Sequence, residues 1–166
     1  MASEKTVVLV LGSFPGAASL RAQQYYAHPQ NHFWKILQAL WPQHPLPTAG
    51  PEHYLQRCDW LLARGLGLWD VYASCEREGS LDTSIRNPLV NDFARLLGRC
   101  PRLAAVAHNG AESFRHAPAV QASLAAQHRP PLQSVRLPST SPANASWSFD
   151  RKLAAWEAVL SAHRLL

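Results

Sequence analysis

Residues 6–11 read TVVLVL, an unbroken aliphatic and β-branched run with no polar alternation. A strand with one wet face alternates apolar and polar residues. A continuous run is buried on both faces, as in a parallel sheet covered by helices. The run predicts a strand over 5–11. It stops at Gly12-Ser13-Phe14-Pro15-Gly16, where two glycines and a proline demand a loop. Three more apolar runs, over 66–72, 103–107 and 134–137, predict further strands. Between them the spacing predicts helices over 31–41, 51–64, 91–97, 111–126 (broken by Pro118) and 148–164, and a polar loop over 73–85. Asn31 is well placed to cap the first of these helices. The alternation predicts an α/β fold: one domain over 1–166, a three-layer αβα arrangement around a four-stranded, mainly parallel sheet.

Ligands of such sheets bind outside the carboxyl ends of the strands. The loops over 12–31, 70–85, 108–110 and 138–144 are therefore expected to converge on one edge. Charge divides the chain unevenly: residues 1–83 carry −1 and residues 84–166 carry +6. Thirteen of the 16 basic residues are arginine, which suits bidentate contacts to phosphate. A polyanion partner and a merely soluble basic surface both fit that distribution. Cys58, Cys75 and Cys100 are widely spaced and include no Cys-x-x-Cys pair. That argues against a disulfide framework, an iron–sulfur cluster or a zinc site, and no metal or cofactor is expected. No apolar stretch approaches the roughly 20 residues of a membrane span, and residues 7–11 are too short for a signal peptide. A cytoplasmic monomer is expected.

Several motifs resemble one family. Gly12-Ser13-Phe14-Pro15-Gly16 is similar to the first signature loop of the uracil-DNA glycosylase superfamily. Residues 26–34, YAHPQNHFW, resemble the segment that follows this loop in its mismatch-specific and hypoxanthine-DNA glycosylase branches. Residues 137–144, LPSTSPAN, resemble the second signature loop. Residues 65–71 with Cys75, Arg77 and Gly79-Ser80-Leu81-Asp82 are similar to the same branches, as is His108-Asn109-Gly110. The hypoxanthine branch, also counted as the sixth uracil-glycosylase family, is the nearest in pattern. Two departures from the wider superfamily agree with it. Ser13 and Phe14 stand where many members carry an acid or amide in the first loop, and Leu137 stands where efficient uracil enzymes carry a histidine.

The resemblance implies hydrolysis of an N-glycosidic bond in DNA containing deaminated bases, with hypoxanthine as first substrate. The enzyme must extrude the nucleotide, grip the base, place a water under the anomeric carbon and stabilise both developing charges. Asn31 is the candidate that positions water; its alternative role is the helix cap. His28 and His32 are weaker candidates. Tyr26 and Phe14 are implied to lie against the flipped base. Asp70 would accept the N1–H of hypoxanthine, or else cap its loop or pair with Arg77. Asn109 is implied to line the pocket, or else to form a turn with positive φ. Ser13, Ser139, Thr140, Ser141 and Asn144 supply hydroxyls and amides for phosphate. Arg136, Arg151 and Lys152 flank the second loop, and Pro142 or Ala143 could wedge into the duplex. Lys35 excepted, no lysine nucleophile is expected near the cleft, which predicts hydrolysis without a Schiff-base step. The rivals are a uracil or xanthine glycosylase of the same fold, a nonenzymatic module for damaged DNA, and a nucleoside hydrolase.

Overall fold

The computed structural model describes residues 1–48 and 52–166. The TVVLVL run forms β1 (Val8–Gly12), and every residue of it is buried. It pairs in parallel with β2 (Leu66–Asp70) on one side and with β5 (Ala105–Asn109) on the other. β5 pairs in parallel with β6 (Gln133–Leu137), giving a four-stranded parallel sheet of order β2-β1-β5-β6. Side chains of β1 leave alternately to the two faces. Val8 and Val10 join a core with α2 (Phe33–Leu40), α3 (His53–Ala63) and α7 (Phe149–Ala162). Leu9 and Leu11 join a second core with α4 (Phe93–Gly98) and α6 (Ala117–Ala126). Helices thus cover both faces, which is why the strand sequence shows no alternation.

Local signals set the helix ends. Asp92 accepts hydrogen bonds from Ala94 N and Arg95 N at the start of α4, and Ser148 accepts one from Arg151 N at the start of α7. The helix predicted over 91–97 is α4, and that predicted over 148–164 is α7. The helix predicted over 51–64 is α3, although Pro51 lies outside the described residues.

Three expectations are revised. The first loop, read as irregular from 12 to 31, contains the short helix α1 (Ala17–Ala22). The polar loop over 73–85 is largely a hairpin: β3 (Tyr72–Glu76) pairs antiparallel with β4 (Arg86–Val90) through two irregularities, with a 3-10 turn at Asp82–Ser84 between them. Only Tyr72 of this two-stranded sheet is buried, too little to impose an apolar pattern, and every residue of β4, Pro88 included, is exposed. The helix expected over 111–126 is two helices, α5 (Ala111–Phe114) and α6. Pro118 sits in the first turn of α6, where its missing N–H costs nothing. Among the described residues no helix is long and apolar enough to cross a membrane.

Candidate active site

The parallel register sets the strand ends in one row. Gly12 is the partner of Asp70, Leu11 that of His108, and Asn109 that of Leu137. From β1 the chain runs to β2 on one side and later to β5 on the other. The order therefore reverses between β1 and β5, which opens a crevice outside their carboxyl ends. A cleft of about 790 Å³ lies there. Its walls come from the first loop, Tyr25 to Asn31, Asp70, the 3-10 turn and the second loop.

Glycine is required at position 12. A Cβ there would stand 2.9 Å from Asp70 Oδ1 and 3.5 Å from the Tyr26 hydroxyl, so both groups reach into the cleft across a bare backbone. The Tyr25 hydroxyl favours the ionised form of the Asp70 carboxylate. Burial nevertheless dominates and pushes the Asp70 carboxyl up to about 6. Asp70 makes no pair with Arg77, whose guanidinium donates instead to the Phe14 and Pro15 carbonyls at 3.4 and 2.5 Å. That guanidinium also lies 5.3 Å from the Phe14 ring centre. Arg77 is thus a clamp on the first loop.

Tyr26 has a left-handed backbone at φ 55°, a conformation that costs a bulky residue of order 1 kcal/mol or more. Two contacts hold it there. Its ring stacks on Phe33 with centres 4.1 Å apart, and its hydroxyl accepts from Asn109 Nδ2 at 3.0 Å. Burial pushes its phenol upward, so the hydroxyl stays protonated. Asn109 is 9% exposed and nearly saturated. Besides Tyr26 it donates to Thr140 Oγ1 at 2.9 Å, and its Oδ1 accepts from Thr140 N at 2.9 Å. The positive φ that sequence allowed to Asn109 belongs to Gly110, at 111°. A Cβ on Gly110 would press Ser139 Cβ at 3.1 Å, so this glycine admits the second loop against β5.

Asn31 lines the cleft at the entry to α2. Its Oδ1 accepts from Phe33 N at 2.9 Å, so it ties the helix start from one residue before His32, which makes no side-chain cap of its own. That leaves Nδ2 with no hydrogen-bond partner among the described residues. The cap and a role toward a ligand are compatible. His28 also lines this cleft; His32 belongs to a shallower one of about 420 Å³ beside it.

Ser13, Arg136, Ser139, Ser141 and Asn144 border the cleft with at least part of each residue accessible. Thr140 and Lys152 depart from the expected phosphate contacts. Thr140 is fully buried, its hydroxyl held by Asn109 and its carbonyl by His32 N at 3.0 Å, so it anchors the loop from beneath. Lys152 is 1% exposed, and its ammonium approaches the Ser141 carbonyl at 3.4 Å. Burial pushes its pKa down. Lys152 is a buried residue of the first turn of α7, at a position the apolar spacing assigns to no core residue. Among the described residues no three His, Cys, Asp or Glu could hold a metal ion.

Sequence reasoning missed three cleft residues. Tyr25 escaped because Tyr26 carried the motif. Asp82 belongs to a motif whose pattern assigns it no task; its Oδ1 accepts from Ser13 Oγ at 2.6 Å. Trp147 lies in no motif, yet it lines the cleft mouth with the Arg151 guanidinium 4.3 Å from its ring centre.

The family described as the Uracil DNA glycosylase superfamily matches residues 2–160. The chain belongs to the uracil-DNA glycosylase superfamily. A relative named Hypoxanthine DNA glycosylase from Methanosarcina barkeri is 37% identical over 119 residues, 72% of this chain and 73% of its own. Another of that name from Methanosarcina acetivorans is 33% identical over 156 residues, 94% and 91% of the two chains. A solution NMR structure of a candidate uracil DNA glycosylase from Methanosarcina acetivorans superposes with a TM-score of 0.78 at 33% identity, covering 98% of this chain and 93% of that one. Membership in the uracil-DNA glycosylase superfamily accounts for the parallel sheet and for a cleft bounded by the first and second loops.

Proposed function

We propose that this superfamily member is a monofunctional DNA glycosylase that hydrolyses the N-glycosidic bond of deoxyinosine in DNA, releasing hypoxanthine and leaving an abasic site. Residues 1–166 act as one glycosylase domain. The observation that carries the reading is the joining, in one cleft, of Asp70 and an aromatic wall on a chain that is 33% identical over 94% of its length to a Hypoxanthine DNA glycosylase.

The chemistry follows from the side chains. A flipped base enters beside Tyr26 and Phe14, whose apolar surfaces tolerate a purine. The Asp70 carboxylate accepts the N1–H of hypoxanthine. With its carboxyl at about 6, it is mostly ionised at pH 7 and serves as that acceptor. Adenine presents no N1–H, so its bare N1 faces a negative charge. Asn31 uses its amide N–H to hold a water beneath the anomeric carbon. Ser139, Ser141 and Asn144 position the backbone, and Arg136 adds charge for the phosphates. Leu137, 2% exposed beneath the second loop, offers no hydrogen bond to a uracil oxyanion, which disfavours fast uracil removal.

The test is a panel of duplexes, each with one deoxyinosine, deoxyuridine or deoxyxanthosine, incubated with enzyme and then cleaved with alkali. The reading expects the fastest cleavage at deoxyinosine. Cleavage at deoxyuridine alone would retain the superfamily chemistry and overturn the substrate. Tight binding without cleavage of any duplex would favour a nonenzymatic module.

A further inference from the structure

Water that attacks the anomeric carbon sheds a proton, and Asn31 is not a group that can take it. Its amide is not basic, and its Oδ1 is committed to Phe33 N. Two carboxylates border the cleft, and they flank adjacent residues of the first loop. Asp70 lies against Gly12, desolvated and held by Tyr25. Asp82 lies against Ser13, 69 residues away in sequence, on the exposed 3-10 turn.

The Ser13–Asp82 contact is short, with Oγ to Oδ1 at 2.6 Å. In this geometry the hydroxyl proton points to the carboxylate. The Oγ lone pairs are then left to accept from a third group. The hairpin is also fixed at this place. Ala17 N donates to Ser80 Oγ at 3.0 Å, Arg77 clamps Phe14 and Pro15, and Tyr72 N donates to the Ser13 carbonyl at 3.0 Å. Ser13 is therefore held between a strand end and a turn and faces the cleft. The charged groups acting on Asp82 are Arg77, which favours its ionised form, and Glu112, which opposes it. The largest influence is partial loss of water from the carboxylate, which raises its pKa; the Ser13 bond, next in size, lowers it.

We propose that Ser13 and Asp82 form a hydroxyl–carboxylate relay that activates the hydrolytic water of this cleft. The proposal rests on the glycosylase reading above. Ser13 touches the water, and Asp82 acts through it as a positioning and proton-accepting residue. As the water oxygen bonds to C1′, the bond from C1′ to N9 breaks and its electron pair leaves with the base. The water proton passes to Ser13 Oγ while the Ser13 proton passes to Asp82. The departing base takes a proton from solvent, and Asp82, exposed at the cleft edge, returns its own. A carboxylate contributed by the hairpin thereby does the work of an acid that the first loop itself does not carry.

The test compares wild type with Ser13→Ala, Asp82→Asn and the double variant. Single-turnover release of hypoxanthine from a deoxyinosine duplex is measured beside binding to the same duplex with an uncleavable 2′-fluoro nucleotide. Asp82→Asn keeps an acceptor for the Ser13 hydroxyl and removes only the base. The relay predicts a rate loss of about 100-fold for each single variant, no further loss in the double variant, and unchanged or tighter binding. A purely structural tie predicts Asp82→Asn close to wild type, and that result would overturn the relay. So would multiplicative losses, or an equal loss confined to Asp70→Asn run in parallel. If the wild type releases no base from any duplex while still binding, the glycosylase reading fails and the relay falls with it.

Discussion

Asp70 should destabilise the fold at neutral pH, and the size of that effect can be worked from its surroundings. Its carboxyl titrates at about 6 in the folded chain against 3.8 for the free group, chiefly because burial penalises the anion. Below the lower value both folded and unfolded chains hold the proton, and there is no cost. Between the two values the unfolded chain ionises first, so stability falls as pH rises. Above about 6 the full penalty is present, about 3 kcal/mol at 1.36 kcal/mol per pH unit. Asp70→Asn has the same shape, but it cannot ionise. In urea unfolding at pH 7 the variant should therefore exceed wild type by up to about 3 kcal/mol, and at pH 4 the two should converge to within about 0.5 kcal/mol. The comparison cancels every other titrating group. A difference that does not change with pH, or a variant less stable at pH 7, would refute the desolvated cleft carboxylate. Stability withheld at a site that must face a base is a common compromise between folding and activity.

Other substitutions probe the supports of the cleft. Asn109→Ala strips partners from the Tyr26 hydroxyl and from the hydroxyl and backbone N–H of Thr140, and unfolding experiments should show a loss of about 2–4 kcal/mol. Gly12→Ala places a methyl 2.9 Å from Asp70 Oδ1; single-turnover base release should fall about 100-fold, with a far smaller change in melting temperature. Lys152→Met should fold at least as stably as wild type, because it keeps the packed stem and removes a desolvated ammonium. Its DNA affinity should keep the wild-type salt dependence, whereas Arg136→Ala should flatten the salt slope by about one.

How far the sequence could be read depended on how strongly burial shaped it. Residues 6–11 announced a strand covered on both faces because nothing but β-branched and aliphatic side chains fits there. The row Gly12, Asp70, Asn109 followed from the ends of the apolar runs. The hairpin over 72–90 left no such mark, since β4 is wholly exposed and the clamp on the first loop comes from Arg77 between the strands. Ser13–Asp82 could not be read because the partners lie 69 residues apart and the pairing depends on that hairpin. Thr140 and Lys152 looked like surface polar residues from their types alone. Only the packing of α7 and the saturated amide of Asn109 reveal that both are buried.

The most direct test of the account is Asn31→Ala against wild type on a deoxyinosine duplex, with free hypoxanthine measured by chromatography under single-turnover conditions. Loss of the contact to Phe33 N should cost about 1 kcal/mol of stability, while the rate of base release should fall by about 100-fold or more. Hypoxanthine release at an undiminished rate from the folded variant would contradict the account and leave Asn31 as a helix cap alone.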